Sequence, residues 1–193
     1  MRFIGVDPSI TGFASVILDS NGQVLKEISI KGKDLPDPLR MSTIVDEFME
    51  NIDKGETLFI EGFAYGGKVG AGTSKAYGIG WLLRDRLIKK GCFFLDVAPT
   101  RLKKYATNNG RAKKPEVIES VIEQFNYNVP RRSNRANSPY NDDLADAYVL
   151  ASMCFNYYQA YINKGETSLY PYQETVLKSI HADINDSKIN STN

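Results

Sequence analysis

The stretch "FIGVDPSITGFASVIL", residues 3–18, decides how the chain folds. Four apolar or small residues, Phe3 to Val6, run into Asp7, and Pro8 then breaks the run. Residues 2–6 read as a buried strand and 12–18 as a second. A buried, unpaired carboxylate costs several kcal/mol unless it is neutralised, hydrogen-bonded or bound to a cation. An acid at the end of such a strand therefore calls for a partner.

The rest of the sequence supplies the frame. "DSNGQ" makes a hairpin turn into a third strand at 23–31. Ile44, Val45, Phe48, Met49 and Ile52 recur at helical spacing, which predicts an amphipathic helix over 38–53. "GETLFIEGF" reads as a short apolar strand ending at Glu61, and a glycine-rich loop over 62–73, "GFAYGGKVGAGT", leads into a helix over 74–90. "GCFFLDV" is the fifth strand. "APTRLKKYAT" and "AKKPEVIESVIEQF" then predict two helices, and "SPYNDDLADAYVLASMCFNYYQAY" a long final one, with Ser138 before Pro139 as its start signal.

Hairpin strands followed by βαβ crossovers give an α/β protein, a mixed five-stranded sheet of three antiparallel edge strands and then parallel strands, flanked by helices. That is the plan of an RNase H-like fold. The 193 residues suit one domain over 1–162. Residues 163–193 lose apolar periodicity and read as a polar appendage, partly disordered.

Composition excludes several chemistries. The 24 Lys and Arg residues balance 23 Asp and Glu, so net charge names no partner. No run approaches the roughly 18 apolar residues of a spanning helix, and no signal core opens the chain, so a soluble, cytoplasmic protein is expected, with no membrane partner. Cys92 and Cys154 sit in apolar runs without a CxxC partner, as buried reduced thiols do. The one histidine, His181, lies in the polar tail, which leaves imidazole-based catalysis and His-ligated zinc without material.

Carboxylates remain. Asp7 before Pro-Ser can be a turn former, and Glu61 at the head of a glycine-rich loop can be solvated. "NDDLADAYVLA" adds more: Asp143 and Asp146 are three apart and Asp142 and Asp146 four apart, so either pair shares a helix face. Acids are also favoured at a helix start. The apolar residues that follow, however, describe a helix packed on the sheet. Acids from two strands and one helix can converge at the carboxyl ends of strands, where open α/β sheets bind ligands. Hard oxygen ligands suit Mg²⁺ or Mn²⁺, and two such ions can flank a phosphate. The expected reaction is metal-assisted phosphodiester hydrolysis.

The ordered set of motifs resembles one family. "IGVDPSITGFASVI" looks like the opening "GIDPGxxxTGxG" of the RuvC-type Holliday junction resolvases, "LFIEGFAY" looks like their second acidic strand, and "DDLADAYVLA" resembles their "DAADALA" helix. The likeness runs from Arg2 to about Met153, and the glycine-rich loop and "APTRLKKYAT" look most like the bacteriophage-encoded branch, whose setting would be the host cytoplasm. The resemblance implies a homodimeric nuclease that cuts branched DNA with two Mg²⁺ per site. It assigns Asp7, Glu61, Asp143 and Asp146 as catalytic metal ligands, preferring Asp143 to Asp142. Departures from the pattern are Ser9 where the family has Gly, and Ala64 where it has a base-stacking aromatic; Phe63 and Tyr65 flank that place.

Between Arg101 and Lys114 stand Lys103, Lys104, Arg111 and Lys113, with no acid among them, and Arg131, Arg132 and Arg135 form a second cluster. A basic segment beside an acidic site fits a phosphate backbone, although a solvated helix face reads the same way. Family lysines match Lys103, which would face the scissile phosphate, and Lys114. Phe63 and Tyr65 would stack on unpaired bases or anchor their loop. The small residues Ala76, Gly78 and Gly80 of the 74–90 helix make a packing face, and the family favours a dimer seam there. Two rivals stand beside the nuclease: a branched-DNA-binding module that does not cut, and an actin-like ATPase or kinase, whose phosphate-binding hairpin the opening motif also resembles.

Overall fold

In a computed structural model of the chain the described residues are 1–32, 34–63, 71–131 and 139–190. Strands β1 (Phe3–Asp7), β2 (Phe13–Leu18) and β3 (Val24–Ile30) form an antiparallel meander. Helix α1 (Leu39–Met49) leads to β4 (Thr57–Glu61), parallel to β1, and α2 (Ala71–Lys89) to β5 (Phe93–Val97), parallel to β4. Helices α3 (Pro99–Thr107), α4 (Lys114–Glu123), α5 (Asp142–Tyr157) and α6 (Pro171–Asn190) follow. The sheet order is β3-β2-β1-β4-β5, the five-stranded mixed sheet expected from the sequence. No helix among the described residues is long and apolar enough to cross a membrane.

Strand pleating sorts the apolar residues into two cores. Ile4, Val6, Ile17, Leu58 and Ile60 face α1 and α2, together with Ile44, Phe48, Leu83 and Leu87. Phe3, Val16, Leu18 and Phe59 face the other way, toward α5 and the helices packed around it. With a period of two, Asp7 follows Phe3 and Gly5 onto the α5 face, and Glu61 follows Phe59 onto the same face. The pairing Val6↔Ile60 sets the two acids side by side one step further on.

Gly5 is what lets α5 lie so close. A Cβ at this position would overlap the Ala147 carbonyl oxygen and the Ala151 amide nitrogen, both backbone atoms of α5. Helix and strand therefore touch backbone to backbone, with Ala147 and Ala151 as the small residues facing the contact. Asp143 and Asp146 sit in the turn of α5 just before that point.

The structure corrects two readings. The final helix begins not at Ser138, which lies outside the described residues, but at Asp142, because the Asn141 side chain caps it by accepting from Leu144 N–H at 3.3 Å. Arg131 and Tyr140 pair as an isolated bridge just before it. At its other end the helix continues into one wide π-turn, Tyr158–Ile162.

The second correction concerns the segment read as a polar appendage, which holds α6. Val176, Leu177 and Ile180 are buried with the α5-side core, Gln173 donates to the Tyr105 carbonyl, and Asp183 takes an ion pair from Arg101 at 2.6 Å. The buried Val176, Leu177 and Ile180 stand among the many polar residues of a 20-residue helix, so tertiary contact more than amphipathicity reveals it.

Gly5→Ala should destabilise the protein by about 3 kcal/mol or more, because the obstacle is backbone that cannot rotate away. Gly72→Ala, with open space around the added carbon, should leave stability unchanged or raise it. Urea unfolding of the two variants checks the contrast.

Candidate active site

Four carboxylates, Asp7 and Glu61 at the carboxyl ends of β1 and β4 and Asp143 and Asp146 in the first turns of α5, lie within one another's electrostatic reach. Asp7 and Asp143 are buried, while Glu61 and Asp146 keep part of their surface open. Burial drives the Asp7 carboxyl well above the usual carboxylate range, and the charges of Glu61, Asp146 and Asp143 push it the same way. Glu61 is raised too, chiefly by burial, although Lys114, a hydrogen bond with Asp7 and the charge of Lys103 pull against the rise. Asp146 reaches about 7, from burial first and then Glu61. A neutral Asp7 donating to the Glu61 carboxylate is consistent with these signs.

Lys114, the first residue of α4, is the positive member of the group. Its ammonium bonds Asp142 Oδ2 and lies 3.9 Å from Asp143 Oδ1. Burial works against its charge most strongly, but the Asp142 bond and the charges of Asp142, Asp143 and Asp146 together outweigh it, so its pKa is raised. Asp142 holds the lysine by a hydrogen bond, whereas the charge of Asp143 is felt at Asp7, Glu61 and Asp146. Helical spacing could not distinguish them.

Among the described residues no three His, Cys, Asp or Glu side chains are already drawn together as a metal ligand set. The donor chemistry nonetheless fits a hard divalent cation: oxygen donors only, crowded enough that several are pushed toward their neutral forms. A cation would remove the repulsion that now falls to protons and Lys114.

The other expected residues scatter. Lys103, on α3, is partly buried and close enough for Glu61 to feel its charge. Lys104, Arg111 and Lys113 are exposed on and after α3. Arg101 points to α6, where Asp183 holds it. The Phe63 ring sits against Tyr77 and Trp81, each 5.0 Å away between centroids, and 4.5 Å from the Arg84 guanidinium. Tyr65, Arg132 and Arg135 lie outside the described residues. Gly78 and Gly80 serve packing within the chain, since a Cβ on them would meet Met41 at 3.1 Å and Phe63 at 2.6 Å respectively.

Arg84 escapes the sequence reading altogether. It is 3% exposed and bonds Asp96, the Gly80 carbonyl and the Glu61 carbonyl. Its signal was an arginine on the Leu83–Leu87 face of a helix, where a core residue is due.

Sheet order and crossovers give an α/β protein with an RNase H-like fold. Among solved structures the chain is similar to RuvC of Thermus thermophilus, at 22% identity over 84% of this chain and 97% of that one, with a TM-score of 0.59. It is also similar to T. thermophilus RuvC in complex with a Holliday junction substrate, at 19% identity over 80% of this chain and 93% of that one, with a TM-score of 0.60. No protein-family profile matches the chain, and no curated protein sequence does. The resemblance to the RuvC-type resolvases thus holds in the fold.

The raised carboxyls set a pH dependence. The folded protein holds the Asp146 proton up to a pH of about 7, whereas the unfolded chain releases it near the ordinary value of 3.8. Protons therefore favour the folded state, and the stability they contribute is fully present below 3.8 and lost as pH rises toward 7. Thermal unfolding without divalent ions should show a midpoint falling across that window. Asp146→Asn should flatten the fall.

Proposed function

We propose that the protein is a structure-selective endonuclease that hydrolyses phosphodiester bonds in branched DNA, four-way junctions above all, as a homodimer dependent on divalent cations. The observation that carries this reading is the convergence of Asp7, Glu61, Asp143 and Asp146 on one face of the sheet with Lys114 among them. Asp7, Glu61, Asp143 and Asp146 would hold Mg²⁺, two ions per site with Mn²⁺ able to substitute, and the metal would supply water activation and stabilisation of the leaving oxygen.

The chain's own groups do the rest. Lys103, its charge felt at Glu61, would hold the scissile phosphate, and Lys114 would steady the negative charge of the acids. Exposed Lys104, Arg111 and Lys113 extend a positive path along which flanking phosphates would lie, adding affinity that falls with salt. The Phe63 ring, two residues beyond Glu61, would stack on a base left unpaired at a branch point, worth about 1–3 kcal/mol per base. Symmetric cutting of two strands needs two sites. On α2, Trp81 and Ile88 are 61% and 65% exposed, seven residues apart, which supports that helix as the seam.

The RuvC structure solved with a Holliday junction substrate supports the choice of branched DNA. A module that binds junctions without cutting them is the alternative, and it is told apart by whether strands are nicked.

Synthetic four-way, three-way and linear duplexes, labelled at the 5′ ends and incubated with the protein and Mg²⁺, should show paired nicks in the four-way junction and little in the linear duplex. Asp7→Asn and Asp146→Asn should lose cleavage to background while keeping junction binding, since an amide is a poor replacement for a metal-bridging carboxylate. Cutting at the normal rate by either variant would remove the proposed site. Lys103→Ala should slow cleavage and lower the salt slope of junction binding by about 1.

A further inference from the structure

A buried arginine is costly unless its donors are matched, and an apolar residue of similar volume would fill the same space more simply. Arg84 is matched in an informative way. Its Nε and Nη2 bond Asp96 Oδ1 at 3.0 and 2.5 Å, and Nη1 bonds the Gly80 carbonyl at 2.8 Å. Nη2 also reaches the Glu61 carbonyl at 3.3 Å, and the plane of the guanidinium covers the Phe63 ring at 4.5 Å. One side chain thus ties α2 and β5 to both sides of Gly62, the point where β4 ends and the chain leaves for the loop.

β5 holds the same point from its own side. Glu61 pairs with Val97, and Gly62 N–H donates to the Val97 carbonyl at 2.8 Å. Gly80 gives Phe63 the room it needs to sit on the arginine, because a Cβ there would stand 2.6 Å from the ring. The turn beyond Glu61 is thereby clamped between a strand and a guanidinium, one residue from a carboxylate that repulsion from its neighbours would otherwise displace.

We propose that Arg84 is a positioning residue: by holding the Glu61 carbonyl and the Phe63 ring, it fixes where β4 delivers the Glu61 carboxylate to a divalent cation, touching neither the cation nor DNA. The inference rests on the acids forming the nuclease's cation site. It predicts that loosening the clamp weakens cation binding before it weakens the fold, as the loss of groups that orient metal ligands does.

The test uses the full chain, MnCl₂ titrated by calorimetry, Mg²⁺-dependent single-turnover cleavage of a synthetic four-way junction, and thermal unfolding. Arg84→Lys keeps the charge but loses the fork that spans Asp96 and Glu61. It should weaken Mn²⁺ binding about tenfold and raise the Mg²⁺ needed for half-maximal cleavage by a similar factor, with the rate recovering at saturating Mg²⁺. If Arg84→Lys does not fold, Gly80→Ala, whose added carbon would stand 2.6 Å from the Phe63 ring and 3.2 Å from Arg84 Nη1, loosens the same clamp and decides by the same criterion. Wild-type Mn²⁺ affinity in the folded variant, with only the thermal midpoint lowered, overturns the proposal by making Arg84 a packing residue. Wild-type protein that binds Mn²⁺ but leaves junctions intact overturns the nuclease reading alone, and the Mn²⁺ comparison still decides for Arg84. Wild-type protein that binds no Mn²⁺ overturns both.

Discussion

The closeness of α5 to β1 at Gly5 is the constraint on which the site depends. Where a strand and a helix normally keep a layer of side chains between them, here backbone meets backbone, and the first turns of α5 are carried down to the sheet ends. Asp143 and Asp146 arrive beside Asp7 and Glu61 for that reason. The arrangement is unfavourable electrostatically, and it is held because the apolar length of α5, from Ala147 to Cys154, is buried against the strands. Packing energy spread over a long helix is thus used to hold like charges together at its end.

The charges are balanced locally. The chain is close to neutral overall, yet its positive groups are not evenly placed, since Lys103 and Lys114 come from consecutive helices, α3 and α4, that both adjoin the acids. α6 has a part in this: Val176, Leu177 and Ile180 join the core on the α5 side, Gln173 ties to the Tyr105 carbonyl on α3, and Asp183 holds Arg101 at the start of the same helix. A segment that looks dispensable in one dimension is built into the support of the helix bearing Lys103. Arg101 is then engaged within the chain, where composition had set it among the groups free to meet phosphate.

The reading of the sequence succeeded where a feature was repeated. Alternation along β1 and β4 and helical spacing in α1, α4 and α5 are signals spread over many residues, and all five strands came out in place. It failed where one contact decides. Ser138 is a sound helix start, but Asn141 captured the cap through its bond to Leu144 N–H, so the helix begins later. α6 sets its buried apolar residues among many polar ones, which leaves its amphipathic pattern weak. Gly78 and Gly80, which the sequence offered as a possible seam between copies, are filled from within by Met41 and Phe63.

By itself the sequence determined the order of the elements, the two acids that end buried strands and the pair of acids on one helix face, because periodicity and burial cost are properties of short stretches of chain. Tertiary structure alone decided that Asp142 bonds Lys114, that Phe63 lies on Arg84, and that Arg84 reaches the Glu61 carbonyl. Each of those depends on groups far apart in the chain being brought within a few ångströms, and no local pattern encodes a distance between distant residues.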